Sequence, residues 1–523
     1  MSVGKLDLAS ILGRFALVAK RVAALSETPP EASATEIPDP ITLVQALNKA
    51  GVSLEWLLYG ACAGDTDRAA PDRSRISHPP PVNLVLQQPP MVELQNLLAG
   101  PILTKVVREV IADWSPHGTL DEGAEAIAGM AAIRARMQCL PRRDYINASG
   151  IIIHTGWGNA PLGASAQQRV IESIGATPTG AANAPGRTEN CARMLCVLTE
   201  AEHATVTTSN AASLLLASGA LAAGLEIVVA ARDLIEISDG ARVRDIVEAS
   251  GARVVPVGAA NCVTLDDFRR SITSDTRIIL RSHASNVSIT GYAEHVVDAE
   301  LGKLAHDHGL IYAVNLGGGS LVDVAGRGLP ECPTVSQAIV GGADLVLASS
   351  DKLIGGPQAG LAVGTRTVID QMMRHPLART CRPGKLTLAA LEGTLTAYVS
   401  GRAWNEIPTL RLLDMPLAEI RQRACRLAEA LRTRGYEAVD AEDRAQCGGA
   451  VMPGIDLPTW TVRVKHPRLS EEALYVLLLA RRVVSRRGQG AVIIDLRSVV
   501  PEDDPGLREA LGIALDLSPM PPV

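Results

Sequence analysis

From Asn147 onward, short β-branched runs alternate with alanine-rich stretches of helical spacing. This alternation narrows the fold more than any other feature of the chain. The runs lie at 203–207, 226–230, 253–257, 277–281, 310–314 and 343–348, with helical stretches such as 210–223 and 241–250 between them. Strands apolar along their whole length, joined through helices, predict a mostly parallel sheet covered on both faces. Sites in such sheets collect at the carboxyl ends of the strands. The polar turns that follow these strands therefore converge on one crevice.

The last apolar runs frame an unusual turn. Residues 343–348 lead into Ser349-Ser350-Asp351-Lys352-Leu353-Ile354-Gly355-Gly356-Pro357-Gln358-Ala359-Gly360, and Leu361-Ala362-Val363-Gly364 leaves it. The pattern predicts strand, polar turn, strand. Lysine is almost never fully buried without a reason. Where desolvation lowers its pKa, the neutral amine attacks carbonyls and forms Schiff bases. Two readings of this stretch stand side by side. Lys352 carries pyridoxal phosphate (PLP), or it is a surface-turn lysine paired with Asp351.

Composition bounds the class. A chain of 523 residues, 47% hydrophobic and 20% charged, is globular and has length for about two or three domains. Aromatics at 3% leave few stacking platforms for bases, and a net charge of −6 excludes a protein coated in basic charge. Nine cysteines without a CxxC pair argue against a zinc knuckle, and no metal site is expected. Their odd number predicts reduced thiols and a cytoplasmic location. Lys5, Asp7, Arg14, Lys20 and Arg21 interrupt any signal-peptide core, and no apolar run reaches membrane-spanning length.

Spacing and prolines divide the chain. Residues 1–60 read as a small helical extension. Within it, 41–60 resembles the last two helices of phage-repressor-type DNA-binding domains. A proline-rich linker stands where the recognition helix belongs, so the segment reads as a packing module rather than a DNA reader. Residues 61–90 read as a proline-rich linker. Residues 91–145 return to helical spacing with Lys105, Arg108, Arg134 and Arg136, whose default reading is solvated helix faces and whose other reading is a docking surface for RNA phosphates. Residues 146–400 form the α/β domain. Residues 401–523 read as a smaller α+β domain with a helix at 416–434, a strand at 460–464, a helix at 470–482 and a strand at 490–496.

A PLP site needs an amine, a phosphate cradle, a partner for the pyridine nitrogen and groups that hold the substrate. Thr207-Thr208-Ser209-Asn210-Ala211-Ala212-Ser213 lies where a strand meets a helix, and helix N-termini bind phosphate. Alone, it is equally an ordinary N-cap. Ser349 offers a further hydroxyl to the phosphate.

Several stretches together resemble bacterial selenocysteine synthase, the L-seryl-tRNA(Sec) selenium transferase family. They are Asn147-Ala148-Ser149-Gly150 with His154-Thr155, then Thr208-Ser209-Asn210-Ala211-Ala212, His283-Ala284-Ser285-Asn286, the Lys352 turn, and His375-Pro376-Leu377-Ala378-Arg379-Thr380-Cys381-Arg382. They occur in family order, and the resemblance runs from about residue 90 to the C-terminus, including Asp495-Leu496-Arg497. It implies a fold-type-I PLP-dependent transferase with Lys352 as the PLP lysine and Asp351 as a catalytic carboxylate. Thr208, Ser209, Asn210, His283, Asn315 and Ser349 would contact the cofactor. Arg187, Arg379 and Arg382 would hold selenophosphate, because guanidinium forks match phosphate oxygens. The implied reaction takes seryl-tRNA(Sec) through an aminoacrylate to selenocysteyl-tRNA(Sec), in a homo-oligomer.

Three departures bear on this. Asn315-Leu316-Gly317-Gly318-Gly319 stands where the family usually has Asp-Leu-Gly-Ser-Gly, and a neutral Asn cannot keep the pyridine nitrogen protonated. Asn159 stands where the family often has Arg. Ala184-Pro185-Gly186-Arg187 replaces Arg-Gly-Ser-Arg, so one arginine is lost. Two alternatives remain open from sequence: a related PLP lyase or transferase acting on a small amino acid without tRNA, and a non-catalytic regulator with a degenerate DNA-binding N-terminus.

Overall fold

The computed structural model describes residues 79–112, 120–139, 145–157, 159–175, 186–238, 240–283, 286–289, 291–294, 296–449, 451–467 and 469–516. The extension expected at 1–60, its repressor-like segment and the linker up to residue 78 lie outside the described residues.

Helix α1 (Val82–Leu86) forms within the stretch expected as linker to residue 90. Pro89 and Pro90 open helix α2 (Pro89–Gln95), where a missing N–H leaves no bond unmade. These prolines start helices instead of extending a linker. Helices α3 (Gly100–Ala112) and α4 (Leu120–Cys139) follow. Leu103, Val106, Val107 and Val110 recur at helical spacing and meet Val85, Met91, Leu94, Ile127 and Ala131 in a core of their own.

The α/β part is built on seven strands. In chain order they are β2 (His203–Thr207), β3 (Glu226–Ala230), β4 (Arg253–Val257), β5 (Thr276–Ser282), β6 (Ile311–Gly317), β7 (Leu345–Ser349) and β8 (Gly360–Gly364); the shorter β1 (Ile151–Ile153) precedes them. Their order in the sheet is β2-β8-β7-β6-β5-β3-β4. All run parallel except β8, which is antiparallel to both neighbours. Alternate residues face opposite sides. Ile279, Tyr312, Val314, Val346 and Val363 enter one core, while Ile278, Leu280, Ile311, Leu347 and Ala362 enter the other. Helix α5 (Ala164–Ile174) precedes α6 (Arg187–Thr199), which leads into β2, and α7 (Asn210–Ala222) leaves it. After β5, α8 (Asp298–Asp307) leads into β6. Beyond β8 come α9 (Arg366–Arg374), α10 (Leu377–Thr380) and α11 (Lys385–Val399). The expected mostly parallel α/β architecture is therefore observed.

The second sheet centres on β9 (Glu437–Gly448) and β10 (Val451–Lys465), with β11 (Arg486–Gly488) and β12 (Ala491–Asp495), in the order β11-β12-β10-β9-β1. Helix α12 (Leu417–Arg432) lies in the same region of sequence. Strand β10 is far longer than the run at 460–464, because Pro453, Gly454 and Pro458 hide its alternation. Strand β1 pairs with 446–448 in this sheet rather than with the seven-stranded one. Gly150 carries a φ of +78, and a Cβ there would meet the Asp495 carboxylate. The segment at 147–150 is thus held against the C-terminal sheet.

Candidate active site

Lys352 lies in the turn between the buried strands β7 and β8, as expected. The turn is tied by Ser350 N–H to Ala359 O (2.9 Å), Gly355 N–H to Lys352 O (3.0 Å) and Gly356 N–H to Ser350 O (2.7 Å). Gly355 sits at φ +71 with its α-carbon against Ile407, where no side chain fits. The Tyr398 hydroxyl donates to Ile354 O at 3.0 Å. Burial lowers the Lys352 pKa, and the neighbouring Asp351 charge only partly opposes this. The local environment therefore makes the neutral, nucleophilic amine easier to reach than in a free lysine. Among the described residues, no carboxylate lies within ion-pair distance of it.

Asp351 is buried. Ser349 Oγ donates to its Oδ1 at 2.5 Å, and Asn159 Nδ2 donates to its Oδ2 at 2.8 Å. Ala160 N–H donates to the Asp351 main-chain oxygen at 3.0 Å. The Ser349 hydroxyl expected on a phosphate is therefore engaged with Asp351 here.

Ser209 caps α7, accepting from Ala212 N–H at 3.1 Å. Among the described residues, the N–H groups of Asn210 and Ala211 at this helix start have no acceptor. Gly360 lets the chains close up. A Cβ there would lie 2.2 Å from Ser209 O and 2.4 Å from both Ser213 Oγ and Thr207 Oγ1. Thr208 N–H donates to Cys381 O at 2.8 Å, which brings the segment carrying Arg379 and Arg382 against the helix start. Both arginines are exposed.

Asn315 and Asn210 meet above this helix start. Asn210 Nδ2 donates to Asn315 Oδ1 at 2.8 Å, and Asn315 Nδ2 donates to Ser282 Oγ at 3.2 Å. The buried Asn210 Oδ1 has no partner among the described residues. His283 N–H donates to Asn315 O at 2.9 Å, and its Nε2 lies 3.8 Å from Asp298 Oδ2.

Arg187 is placed differently. It heads α6 and pairs with Glu392 on α11 at 3.4 Å, where Arg169 (3.9 Å) and Asn190 also converge. No described bond links it to the Lys352 turn.

Three groups were not singled out as site residues from sequence. Asn159 registered only as a departure, although its φ of +67 marks a turn position that Asn tolerates. Asp298 and Asp233 flank Arg281 at 3.8 and 3.7 Å behind His283. Burial pushes the Asp298 carboxyl up, but His283, Arg281 and the Tyr312 hydroxyl outweigh it and hold the pKa low. For Asp233 burial wins, and the pKa is raised. Asn159 lies in a loop, Asp233 in the turn that leaves β3 and Asp298 at the first position of α8, and nothing in their sequence spacing marks them as sharing a site.

The donor set fits PLP: a half-buried amine whose pKa burial lowers, a helix start with two N–H groups left open among the described residues, and the unpartnered Asn210 oxygen.

The family model described as L-seryl-tRNA selenium transferase matches residues 145–500. The L-seryl-tRNA(Sec) selenium transferase of Carboxydothermus hydrogenoformans is 33% identical over 441 residues, spanning 81% of this chain and 94% of that protein. Its counterpart from Desulfovibrio desulfuricans is 37% identical over 407 residues, spanning 73% and 84%. A solved structure of D-glucosaminate-6-phosphate ammonia-lyase superimposes with a TM-score of 0.50 at 17% identity, over 73% of this chain and 98% of that one, and shares the fold. The architecture is the fold-type-I one expected from the sequence. With the match across most of its length, the chain belongs to the L-seryl-tRNA selenium transferase family.

Proposed function

We propose that this chain converts seryl-tRNA(Sec) to selenocysteyl-tRNA(Sec), with PLP on Lys352 and selenophosphate as the selenium donor. The observation that carries this is the half-buried Lys352 amine in the turn between β7 and β8, in a chain whose relatives bear that name. Bound there, PLP would supply the electron sink that eases loss of the seryl Cα proton and β-hydroxyl.

The chain's own residues do the rest. The Lys352 amine would hold the cofactor, and as a neutral amine would take the seryl Cα proton at Nζ. The N–H groups of Asn210 and Ala211, with the Thr208 and Ser209 hydroxyls, hold the cofactor phosphate. The Asn315 amide is neutral and supplies no charge to the pyridine nitrogen, while His283 borders the same strand ends. Asp351, beside the lysine, accepts the Cα proton from Lys352 Nζ at its carboxylate and passes it to the departing hydroxyl oxygen, which leaves as water. Arg379 and Arg382 bind selenophosphate oxygens. Arg187 reaches the same anion only by exchanging Glu392 for it.

The helices α1–α4 dock the tRNA, with Lys105 and Arg108 on an open groove of α3 beside Pro101 and Thr104. Exposed Ile171, Ile174 and Leu386 on α5 and α11 suit a homo-oligomer. No described helix is long and apolar enough to cross a membrane, and reduced cysteines fit a cytoplasmic enzyme.

The test combines two measurements. Wild type with PLP should show the visible band of lysine-bound cofactor, and Lys352→Ala should lose it. A gel shift should favour seryl-tRNA(Sec) over bulk tRNA. Absence of the band removes every PLP reading. A band without tRNA preference points to the small-amino-acid reading instead.

A further inference from the structure

We infer that Asn159 is a positioning residue for the reaction: it clamps the Asp351 carboxylate in the orientation in which that group serves the chemistry beside Lys352. The inference rests on the role given to Asp351 above.

Asp351 is buried and adjoins the reactive lysine, yet no cation lies within ion-pair distance of it among the described residues. Two neutral donors hold it instead, one on each oxygen. Ser349 Oγ reaches Oδ1 from the end of the same strand, and Asn159 Nδ2 reaches Oδ2 from a loop far away in sequence. A carboxylate has about four acceptor positions. One donor per oxygen leaves a free lone pair on each. Ser349 alone would leave rotation about the Cβ–Cγ bond open; Asn159 closes it.

The Asn159 loop is itself fixed on the lysine turn. Ala160 N–H bonds the Asp351 main-chain oxygen at 3.0 Å, and Asn159 N–H bonds His154 O at 3.4 Å. Asn159 adopts φ +67, a conformation that Asn, Asp and Gly accept and that bulkier side chains resist. The backbone therefore aims a short amide at the carboxylate. A longer cationic side chain at this position would need a different loop conformation to make the same contact. The clamp keeps the electrostatics neutral: it orients Asp351 without adding a counter-charge next to the lysine.

The geometry selects the variants. Asn159→Gly removes the amide and keeps φ +67 without strain. Asn159→Asp keeps size and conformation but replaces the donor with a like charge. In the holoenzyme, Asn159→Gly should lower kcat about ten- to a hundredfold, with KM for seryl-tRNA(Sec) changed less than about twofold. Asn159→Asp should be worse. In an Asp351→Asn background, Asn159→Gly should cost less than about twofold more, because the group it acts through is already altered. A second readout needs no turnover. In apoprotein, trinitrobenzenesulfonate labelling of Lys352 is followed against pH by peptide mass spectrometry. Asp351→Asn should lower the labelling midpoint, since the Asp351 charge raises the lysine's pKa. Asn159→Gly should raise it, as the released carboxylate turns toward the ammonium, and should leave it unchanged in the Asp351→Asn background.

An Asn159→Gly enzyme with wild-type kcat, beside an impaired Asp351→Asn enzyme, overturns this inference alone. An equal loss in the Asp351→Asn background also overturns it, since Asn159 would then act without Asp351. A fully active Asp351→Asn enzyme refutes the underlying role of Asp351 itself.

Discussion

Gly360→Ala should damage the cofactor cradle far more than its size suggests. The new methyl would lie 2.2 Å from Ser209 O, 2.4 Å from Ser213 Oγ and 2.4 Å from Thr207 Oγ1. Ser209 is the N-cap of α7, and its carbonyl accepts from Ser213 N–H at 3.0 Å. The helix start must therefore retreat by roughly 1 Å to restore ordinary contact, since carbon and oxygen rarely approach below about 3 Å. Overpacking of this kind costs about 1–3 kcal/mol. The same displacement moves the open N–H groups of Asn210 and Ala211, so cofactor affinity should fall at least about tenfold. Gly364→Ala is the control. It sits at the other end of the same strand, and its methyl would lie 2.1 Å from Asp344 O, an equally severe contact far from the cradle. Urea unfolding of the apoproteins and titration of each with PLP, read by its absorbance, separate the two effects. Both variants should lose comparable stability, and only Gly360→Ala should lose affinity. Equal PLP affinity in the two variants would refute the cradle placed at 207–213.

Other expectations follow from the same geometry. Burial depresses the Lys352 pKa below the ordinary 10.5, so between the depressed value and 10.5 the unfolded chain binds more protons and stability rises with pH. Lys352→Met should therefore stabilise the apoprotein near neutral pH by an amount that shrinks toward pH 10.5; a pH-independent difference in urea midpoints would contradict this. Arg497 is buried and donates to the main-chain oxygens of Leu412 (3.1 Å), Met415 (2.9 Å) and Pro458 (2.5 Å). Arg497→Met should cost about 3–5 kcal/mol in denaturant unfolding, because three carbonyls lose their donor. Arg382→Ala should lower kcat/KM for selenophosphate about ten- to a hundredfold, the worth of a charge-assisted bond. Glu392→Gln should release Arg187 and lower the selenophosphate KM, and an unchanged KM would leave Arg187 a purely structural partner of α11.

The strands of the α/β part were legible because their signal is local, whereas their order in the sheet was not. Val254, Ile279, Val314 and Val346 fall in short apolar runs bounded by turn residues, and those runs became strands within a residue or two. The prolines at 89 and 90 misled, since the same residue that breaks a helix interior opens a helix at its first turn. Strand β9 left almost no trace. Glu442, Asp443 and Arg444 run consecutively and break any alternation, and its pairing partner β10 supplies the hydrogen bonds that make it a strand.

The sequence by itself determined the α/β class and the placement of Lys352 in a turn between strands, because each rests on residue types at short spacing, and motifs in family order carried the resemblance to the family. Only the tertiary structure decided which side chains face one another. It set Ser349 and Asn159 on Asp351, bound Asn210 to Asn315, and drew Arg187 to Glu392. Those pairs join residues that sheet order and a left-handed loop bring together. A hydrogen bond depends on distance in space, which spacing along a chain does not encode.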